Sequence, residues 1–185
     1  MKKKRPVDYI FYTAIVLAGI ALDQLTKYLA STFLTKVPTV PLIEGVLHLT
    51  YVENTGAAFG MLKDAPWVFN TFSIIAIVGM SLYLYLGHAS NKLYEISLAL
   101  IISGGIGNMI DRLLIGFVVD FIDFRLIRFA VFNGADSFVC VGAGIMVLAL
   151  ILEIIDEYKK EKAKKAEEFA EATARSHDED SEDEV

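Results

Sequence analysis

The sequence predicts an all-α membrane protein: a bundle of four transmembrane helices with a small extracytoplasmic β-sheet and loop region. Hydrophobic residues make up 55% of the 185 residues and charged residues only 22%, and the mean hydropathy is +0.49. Soluble domains are usually less apolar and more highly charged. The 27 residues between Asp64 and Lys92 contain no Asp, Glu, Lys or Arg, and roughly 20 apolar residues are enough to cross a bilayer. The chain is therefore predicted to be embedded in a membrane.

Four apolar segments are predicted to cross the membrane, at residues 8–30, 66–88, 94–115 and 136–156. The second is the uncharged run, whereas each of the others contains a charged residue or ends beside one. Together they define a predicted membrane domain over residues 1–158, followed by a charged cytoplasmic tail over residues 159–185.

Basic residues at both ends of the chain predict its orientation. Lys2, Lys3, Lys4 and Arg5 precede the first span, and five lysines follow the last span between residues 159 and 165. Because cytoplasmic flanks carry an excess of Lys and Arg, both ends are predicted to be cytoplasmic, as an even number of spans requires. The loops at residues 31–65 and 116–135 then face outward.

The formal net charge of −6 is spread unevenly along the chain. Residues 1–152 carry 11 Lys and Arg against 10 Asp and Glu, whereas residues 153–185 carry 6 against 13. The acid-rich end of the tail is therefore predicted to be disordered. The net charge therefore reflects this tail and gives no information about the partners of the membrane domain. No nucleic-acid partner is predicted.

The first span also has features of a secretory signal peptide, with a basic start and a 14-residue apolar stretch. However, Gly19-Ile20-Ala21 is a poor cleavage site, and Asp23 and Lys27 continue the same helical register. An uncleaved first span is the preferred interpretation.

The first outer loop contains a short β pattern. Leu47, Leu49 and Tyr51 alternate with a mixed face, which is typical of a half-buried strand. A small extracytoplasmic sheet is therefore expected, followed by a turn-rich segment, residues 54–60, whose backbone could contact a ligand.

Charged residues within the spans converge at one depth. At a rise of 1.5 Å per residue, Asp23 lies roughly 21 Å from the cytoplasmic side and Asp111 about 25 Å along the third span, while Asp136 opens the fourth span from outside. Ionisable groups in spans are costly and usually mark a functional site. The alternative for Asp23 and Lys27, four residues apart, is that they only neutralise each other.

Four aspartates occur within 26 residues: Asp111, Asp120, Asp123 and Asp136. No Ser with a nearby His and no outer Cys nucleophile accompanies them, so acid–base chemistry must come from carboxylates. Two close carboxylates share one proton, which lets one activate water while the other protonates the reacting group. Asp120 and Asp136 can meet across their 15-residue loop. Asp123 is a competing candidate, but its loop position favours solvation.

No metal or cofactor site is predicted. Cys140 is the single cysteine, and His48, His88 and His177 are far apart and lack ligand spacing.

Five segments contain most of these polar residues: 23–27 (DQLTK), 54–59 (NTGAAF), 104–112 (GGIGNMIDR), 118–121 (VVDF) and 132–137 (FNGADS). They resemble, in order and on the matching spans, the signature blocks of bacterial lipoprotein signal peptidase, or signal peptidase II. The resemblance covers about residues 8–156. The stretch between Asp120 and Asp136 is a few residues shorter than in the family, and the tail extends beyond the family core.

The resemblance implies a four-span aspartic endopeptidase of the bacterial cytoplasmic membrane. It removes the signal peptide from prolipoproteins on the N-terminal side of a cysteine that carries diacylglycerol. The implied catalytic dyad is Asp120 and Asp136. The implied substrate-binding and supporting residues are Asn54, Gly56, Asn108, Arg112 and Asn133, with Asp23, Lys27 and Asp111 bracing the site. The implied partners are the diacylglyceryl prolipoprotein, membrane lipids and inhibitors of the globomycin type.

Two other function classes fit parts of the sequence. A small proton- or cation-coupled transporter could use Asp23, Asp111 and Asp136 as a relay, but it predicts internal repeats, and none is visible. A non-enzymatic membrane scaffold that uses the tail predicts that Asp120 and Asp136 are replaceable.

Overall fold

A computed structural model describes residues 6–56, 66–86, 91–127 and 129–182. The helices and strands are, in chain order, α1 (Pro6–Phe33), β1 (Val40–Ile43), β2 (Leu47–Asn54), α2 (Pro66–Tyr85), α3 (Lys92–Leu114), β3 (Val118–Phe124) and α4 (Gly134–Glu182). A 3-10 turn, Arg125–Ile127, follows β3. The structure is thus mostly helical, with one small sheet.

Three of the described helices are long and apolar enough to cross a membrane: Pro6–Phe33, Lys92–Leu114 and Gly134–Ala166. They correspond to the predicted first, third and fourth spans. The predicted second span begins, as expected, at Pro66, but its described apolar part, Asn70–Tyr85, is shorter, and residues 87–88 lie outside the described residues. Three spans are supported by length and composition, and the fourth stays a prediction.

Large apolar side chains cover the outer faces of the helices. Ile10 and Leu17 on α1 and Ile75 on α2 are each more than 60% exposed, which suits a helix surrounded by lipid. The faces of α1 and α3 that point away from these exposed side chains pack together, through Tyr12, Val16 and Ile102 among other residues. This core holds α3, the helix that carries most of the polar residues of interest, against α1.

The predicted small sheet is present as three antiparallel strands in the order β1-β2-β3, and its location on the outer side stays a prediction. The β pattern around Leu47 corresponds to β2. Strand β3 was not predicted: residues 118–124 were expected to be a loop, but they pair with β2, with Val52 opposite Asp120 and His48 opposite Asp123. Ala30 of α1 and Leu34, which directly follows the helix, pack against Val119 of β3. The sheet therefore lies at the C-terminal end of α1.

The chain divides into two compact units, residues 1–146 and 147–185. The second unit contains the remainder of α4, which is helical to Glu182; disorder of the acid-rich end of the tail stays a prediction. Ala, Glu and Lys are strong helix formers, and ion pairs four residues apart, such as Asp156–Lys160 and Glu161–Lys165, favour the helix. The predicted domain boundary at residue 158 remains a prediction.

Candidate active site

The first turn of α4 is closed by a reciprocal pair of hydrogen bonds between Asn133 and Asp136. The backbone N–H of Asp136 donates to Asn133 Oδ1 at 3.0 Å, and the backbone N–H of Asn133 donates to Asp136 Oδ2 at 3.2 Å. This is the geometry of a capping box, here with Asp in place of Glu or Gln. Both side chains are thereby held at the start of the helix.

Asp120 lies on β3 with both carboxylate oxygens bound by amide groups. Asn54 Nδ2 donates to Oδ2 at 2.9 Å, and Asn133 Nδ2 donates to Oδ1 at 2.7 Å. Asn54 is itself oriented by the backbone N–H of Gly56, which donates to its Oδ1 at 3.1 Å. Asp120 is 2% exposed, so its position is determined by these contacts and not by water.

Asn133 and Asn108 connect the two candidate carboxylates. Asn108 Nδ2 donates to Asp136 Oδ1 at 2.7 Å, and Asn133 Nδ2 donates to Asn108 Oδ1 at 3.0 Å. Asn133 therefore contacts both Asp120 and Asp136. The structure brings together the two aspartates that the sequence singled out, from β3 and α4.

The pKa of Asp120 is raised to about 6: burial and the negative charge of Asp136 raise it, and the hydrogen bonds from Asn54 and Asn133 and the charge of Lys27 partly offset that rise. A carboxylate that neighbours another charge and little water binds a proton more readily. Asp120 can thus hold a proton up to about pH 6, beside the second acid of the site.

Lys27 lies beside this pair and is 3% exposed. Its Nζ is 2.9 Å from Asp23 Oδ2 and 2.9 Å from Asp111 Oδ2, and it donates to Asn108 Oδ1 at 2.9 Å. The interpretation that Asp23 and Lys27 only neutralise each other is therefore incomplete. Lys27 connects α1 to α3 at the level of the carboxylate pair.

Gln24 is a site residue that sequence reasoning missed. Its Nε2 donates to Asp111 Oδ1 at 2.9 Å and to the Gly107 carbonyl at 3.2 Å. The available signal was an amide side chain between two charged positions of an apolar helix, because a polar group in a span needs a partner.

Arg112 connects α3 to the segment that follows β2. Its Nη2 donates to the Gly56 carbonyl at 3.2 Å, and its Nη1 is 3.4 Å from the Asn108 carbonyl. Gly56 thus contributes its backbone N–H and carbonyl to contacts with Asn54 and Arg112, and contact of this turn-rich segment with a ligand stays a prediction. Residues 57–60, the remainder of the predicted contact segment, lie outside the described residues.

Asp123 has a different environment from the one predicted. It is 8% exposed rather than solvated, because it lies within β3 and not in a loop. Although burial opposes ionisation, hydrogen bonds from Arg125 and Thr50 keep the pKa of Asp123 below its usual value. The three-residue offset from Asp120 places the two side chains on opposite faces of the strand, so Asp123 does not join the pair.

Across the described ranges, no group of three or more His, Cys, Asp or Glu side chains is placed to hold a metal ion.

Apolar helices beside a buried aspartate, Asp120, that Asn133 links to the partly buried Asp136 are the features of a membrane-embedded enzyme that works by acid–base chemistry. Residues 15–152 match the family model described as Signal peptidase (SPase) II. The chain therefore belongs to the signal peptidase II family, a family of peptidases. The resemblance found in the five sequence segments is confirmed.

Curated relatives and solved structures agree with this assignment. The chain is 47% identical over 140 residues to "Lipoprotein signal peptidase" of Caldanaerobacter subterraneus subsp. tengcongensis, covering 75% of this chain and 94% of the relative. It is 44% identical over 143 residues to the protein of the same name from Clostridioides difficile, covering 77% and 95%. A structure titled "Bacterial membrane enzyme structure by the in meso method at 2.3 A resolution" superposes with a TM-score of 0.74 at 30% identity, covering 83% of this chain and 94% of that chain. This is a membrane protein of a known enzyme family.

Proposed function

We propose that the protein is an aspartic endopeptidase that removes the signal peptide from diacylglyceryl-modified prolipoproteins, cutting N-terminal to the lipidated cysteine. The curated relatives bear the name "Lipoprotein signal peptidase". The observation that carries the proposal is the pair Asp120 and Asp136, both hydrogen-bonded to Asn133. Two acids that share one proton supply what hydrolysis of an amide bond needs.

In the proposed reaction, Asp136 acts first as the base and Asp120 as the acid. Asp136 takes a proton from water, the water oxygen bonds to the scissile carbonyl carbon, and the carbonyl oxygen takes the proton from Asp120. The tetrahedral intermediate then collapses: the C–N bond breaks, the leaving nitrogen takes the proton from Asp136, and a hydroxyl of the intermediate returns a proton to Asp120. Asp136 accepts hydrogen bonds from Asn108 and from the backbone N–H of Asn133, which hold its carboxylate in place to act as the base.

The polar groups around the pair are proposed to hold the substrate backbone. Asn54 ends β2, Gly56 follows it, and Arg112 of α3 donates to the Gly56 carbonyl. These groups offer amide and guanidinium donors beside the pair, and an extended peptide has carbonyl oxygens to accept from them. Such contacts would place one peptide bond against the two carboxylates.

The proposed location is the bacterial cytoplasmic membrane, with both chain ends cytoplasmic and the active site near the outer face. The lysines around residues 2–5 and 159–165 support this orientation, with α2 as the fourth span. A lipidated substrate stays in the bilayer through its acyl chains, so its scissile bond lies near the membrane surface. Exposed apolar side chains on α1 and α2 would contact membrane lipids.

A transporter is not favoured. Its relay requires titratable groups distributed along the membrane, whereas Asp23, Lys27 and Asp111 form one buried cluster beside Asp120 and Asp136. The curated relatives are named as peptidases.

Substrate modification provides the direct test. The purified protein in proteoliposomes is expected to cleave a diacylglyceryl-modified prolipoprotein and to leave the same prolipoprotein intact when its cysteine is unmodified. Mass spectrometry of the product should show the lipidated cysteine at its N-terminus, and globomycin should block its formation. Equal cleavage of both forms, or cleavage of neither, would contradict the proposed function.

The pH profile tests the shared proton. Since the active pair carries one proton and the pKa of Asp120 is about 6, kcat/KM is expected to fall as pH rises past about 6. Asn54 lowers this pKa through its hydrogen bond, so Asn54→Ala should move the alkaline limb to higher pH. Steady-state kinetics across a pH series measure the alkaline limb of the wild type and its shift in Asn54→Ala. A limb that stays in place, or moves to lower pH, argues against Asp120 as the proton carrier.

A further inference from the structure

The Lys27 ammonium has three N–H donors, and three acceptors surround it. Asp23 Oδ2, Asp111 Oδ2 and Asn108 Oδ1 each lie 2.9 Å from Nζ. We propose that Lys27 is the positioning residue that sets the separation and orientation of Asp120 and Asp136, through one connection from each of these acceptors. This inference rests on the proposed function, because it concerns the geometry of that carboxylate pair.

The first connection runs through Asp23 to α4. While Oδ2 of Asp23 binds Lys27, its Oδ1 accepts the backbone N–H of Ala135 at 2.8 Å. Ala135 directly precedes Asp136, and Asp23 is fully buried. The ion pair in α1 therefore fixes the backbone that carries one carboxylate.

The second connection runs through Asp111 to β3. Asp111 Oδ2, which faces Lys27, also accepts the backbone N–H of Val119 at 3.2 Å. Val119 directly precedes Asp120, and Gln24 holds the other oxygen of Asp111. The same ammonium thus fixes the backbone that carries the other carboxylate.

The third connection runs through the amide of Asn108. An ammonium can only donate, so the Asn108 oxygen must face Lys27 and its NH₂ must face away. That NH₂ donates to Asp136 Oδ1 at 2.7 Å. The Asn108 oxygen also receives a hydrogen bond from Asn133, which donates to Asp120 through the same NH₂ group. Lys27 therefore determines that the NH₂ group of Asn108, and not its oxygen, contacts Asp136.

One buried cation is consequently connected to the backbone before Asp120 on β3, to the backbone before Asp136 on α4, and to the Asn108 side chain on α3. Lys27 contacts neither carboxylate of the pair through a described hydrogen bond, so its role is positional. Displacement of reacting groups by about 1 Å can cost roughly 100-fold in rate. A change of geometry at Lys27 should therefore lower turnover without changing which substrate binds.

The test is Lys27→Arg, which retains the positive charge but replaces a compact donor with a planar fork. Per mole of folded enzyme, kcat for the diacylglyceryl prolipoprotein is expected to fall about 10- to 100-fold with KM nearly unchanged. The alkaline limb of the pH profile should also shift. The charges that act on the pair, Lys27 from α1 and Arg112 from α3, are the same in the variant, so the shift reports geometry.

Leu98→Ala is the structural control. Leu98 is buried in the helix core near the start of α3, away from the carboxylates, so its truncation should lower stability and leave the pH profile and kcat per folded enzyme unchanged. Wild-type kcat and pH profile in Lys27→Arg, or an equal shift in Leu98→Ala, would overturn the proposal.

A second variant decides the matter if Lys27→Arg does not fold. Asp23→Asn retains the Lys27–Asp111 ion pair. An asparagine side chain has one oxygen and one NH₂ group, so it cannot accept from both Lys27 and the Ala135 N–H as the two oxygens of Asp23 do. A fall in kcat with a shifted profile supports the proposal, and a wild-type profile refutes it. The wild-type enzyme is the reference throughout: if it does not cleave the substrate, the proposed function fails and not the role of Lys27.

Discussion

Asp120→Asn and Asp136→Asn are each expected to lower kcat for prolipoprotein cleavage by about 10²–10⁴-fold. An amide side chain is nearly isosteric with a carboxylate but cannot exchange the proton that the reaction moves. Because each acid has a separate part in the proton transfer, loss of either should be nearly as damaging as loss of both. Processing of the diacylglyceryl prolipoprotein in proteoliposomes, normalised to folded protein, measures the effect.

Asp123→Asn is the matched control for Asp120→Asn. It makes the same chemical change three residues along β3, but Asp123 contacts Thr50 and Arg125 on the opposite face of the strand. Its exposed partner Arg125 makes this ion pair worth less than about 1 kcal/mol, so activity and folding should stay near wild type. Near wild-type cleavage by either dyad variant, or a loss in Asp123→Asn as large as in Asp120→Asn, would refute the assignment.

Stability measurements separate a chemical defect from a folding defect in Asp120→Asn. The pKa of Asp120 is raised from 3.8 to about 6 in the folded protein, so the folded state binds more protons than the unfolded state within this window. Stability from this group is then complete below the unfolded pKa and is lost as pH rises through the folded pKa. Thermal unfolding in detergent should show this loss between pH 4 and 6 in the wild type, and a smaller slope in Asp120→Asn.

Gly104→Ala is expected to reduce both stability and activity. A Cβ at Gly104 would lie 2.2 Å from the Ala135 carbonyl oxygen and 2.8 Å from Val139 Cγ2. The first of these atoms is backbone and cannot rotate away, so the first turn of α4 must move, and Asp136 with it. Overpacking of this kind costs about 1–3 kcal/mol, and a displaced carboxylate can lose about 100-fold in rate.

Gly79→Ala and Gly144→Ala are controls for this substitution. Both glycines lie in helices, and a Cβ at either meets nothing within 4 Å, so the same change should be neutral or stabilise by about 0.5–1 kcal/mol. Thermal unfolding and kcat should therefore distinguish Gly104→Ala from both controls. If all three variants behave alike, the close approach of α3 and α4 does not position Asp136.

Local patterns predicted the elements that depend on local physics. The apolar runs predicted α1, α3 and the membrane part of α4 because hydropathy is a property of each segment by itself. The alternation at Leu47, Leu49 and Tyr51 predicted β2 for the same reason. In the tail, local signals disagree: its charge favours disorder, while its Ala, Glu and Lys content favours the helix described to Glu182.

The candidate pair was also accessible from sequence, because few residue types can perform acid–base chemistry and the aspartates were few. The buried environment of Asp123 could not be predicted from the sequence. Whether residues 118–124 form a strand, and which face each aspartate occupies, depends on pairing with β2, about 70 positions earlier in the chain.

The sequence by itself determined that this is a membrane protein of the signal peptidase II family with Asp120 and Asp136 as its candidate acids. Only the tertiary structure decided how those acids are held: Asn133 between them, Asn108 oriented by Lys27, and Asp23 and Asp111 connected to the backbone before each acid. The physical reason is distance along the chain. Composition and periodicity report a residue's own segment, whereas a hydrogen bond between α1 and α4 exists only once the helices have packed.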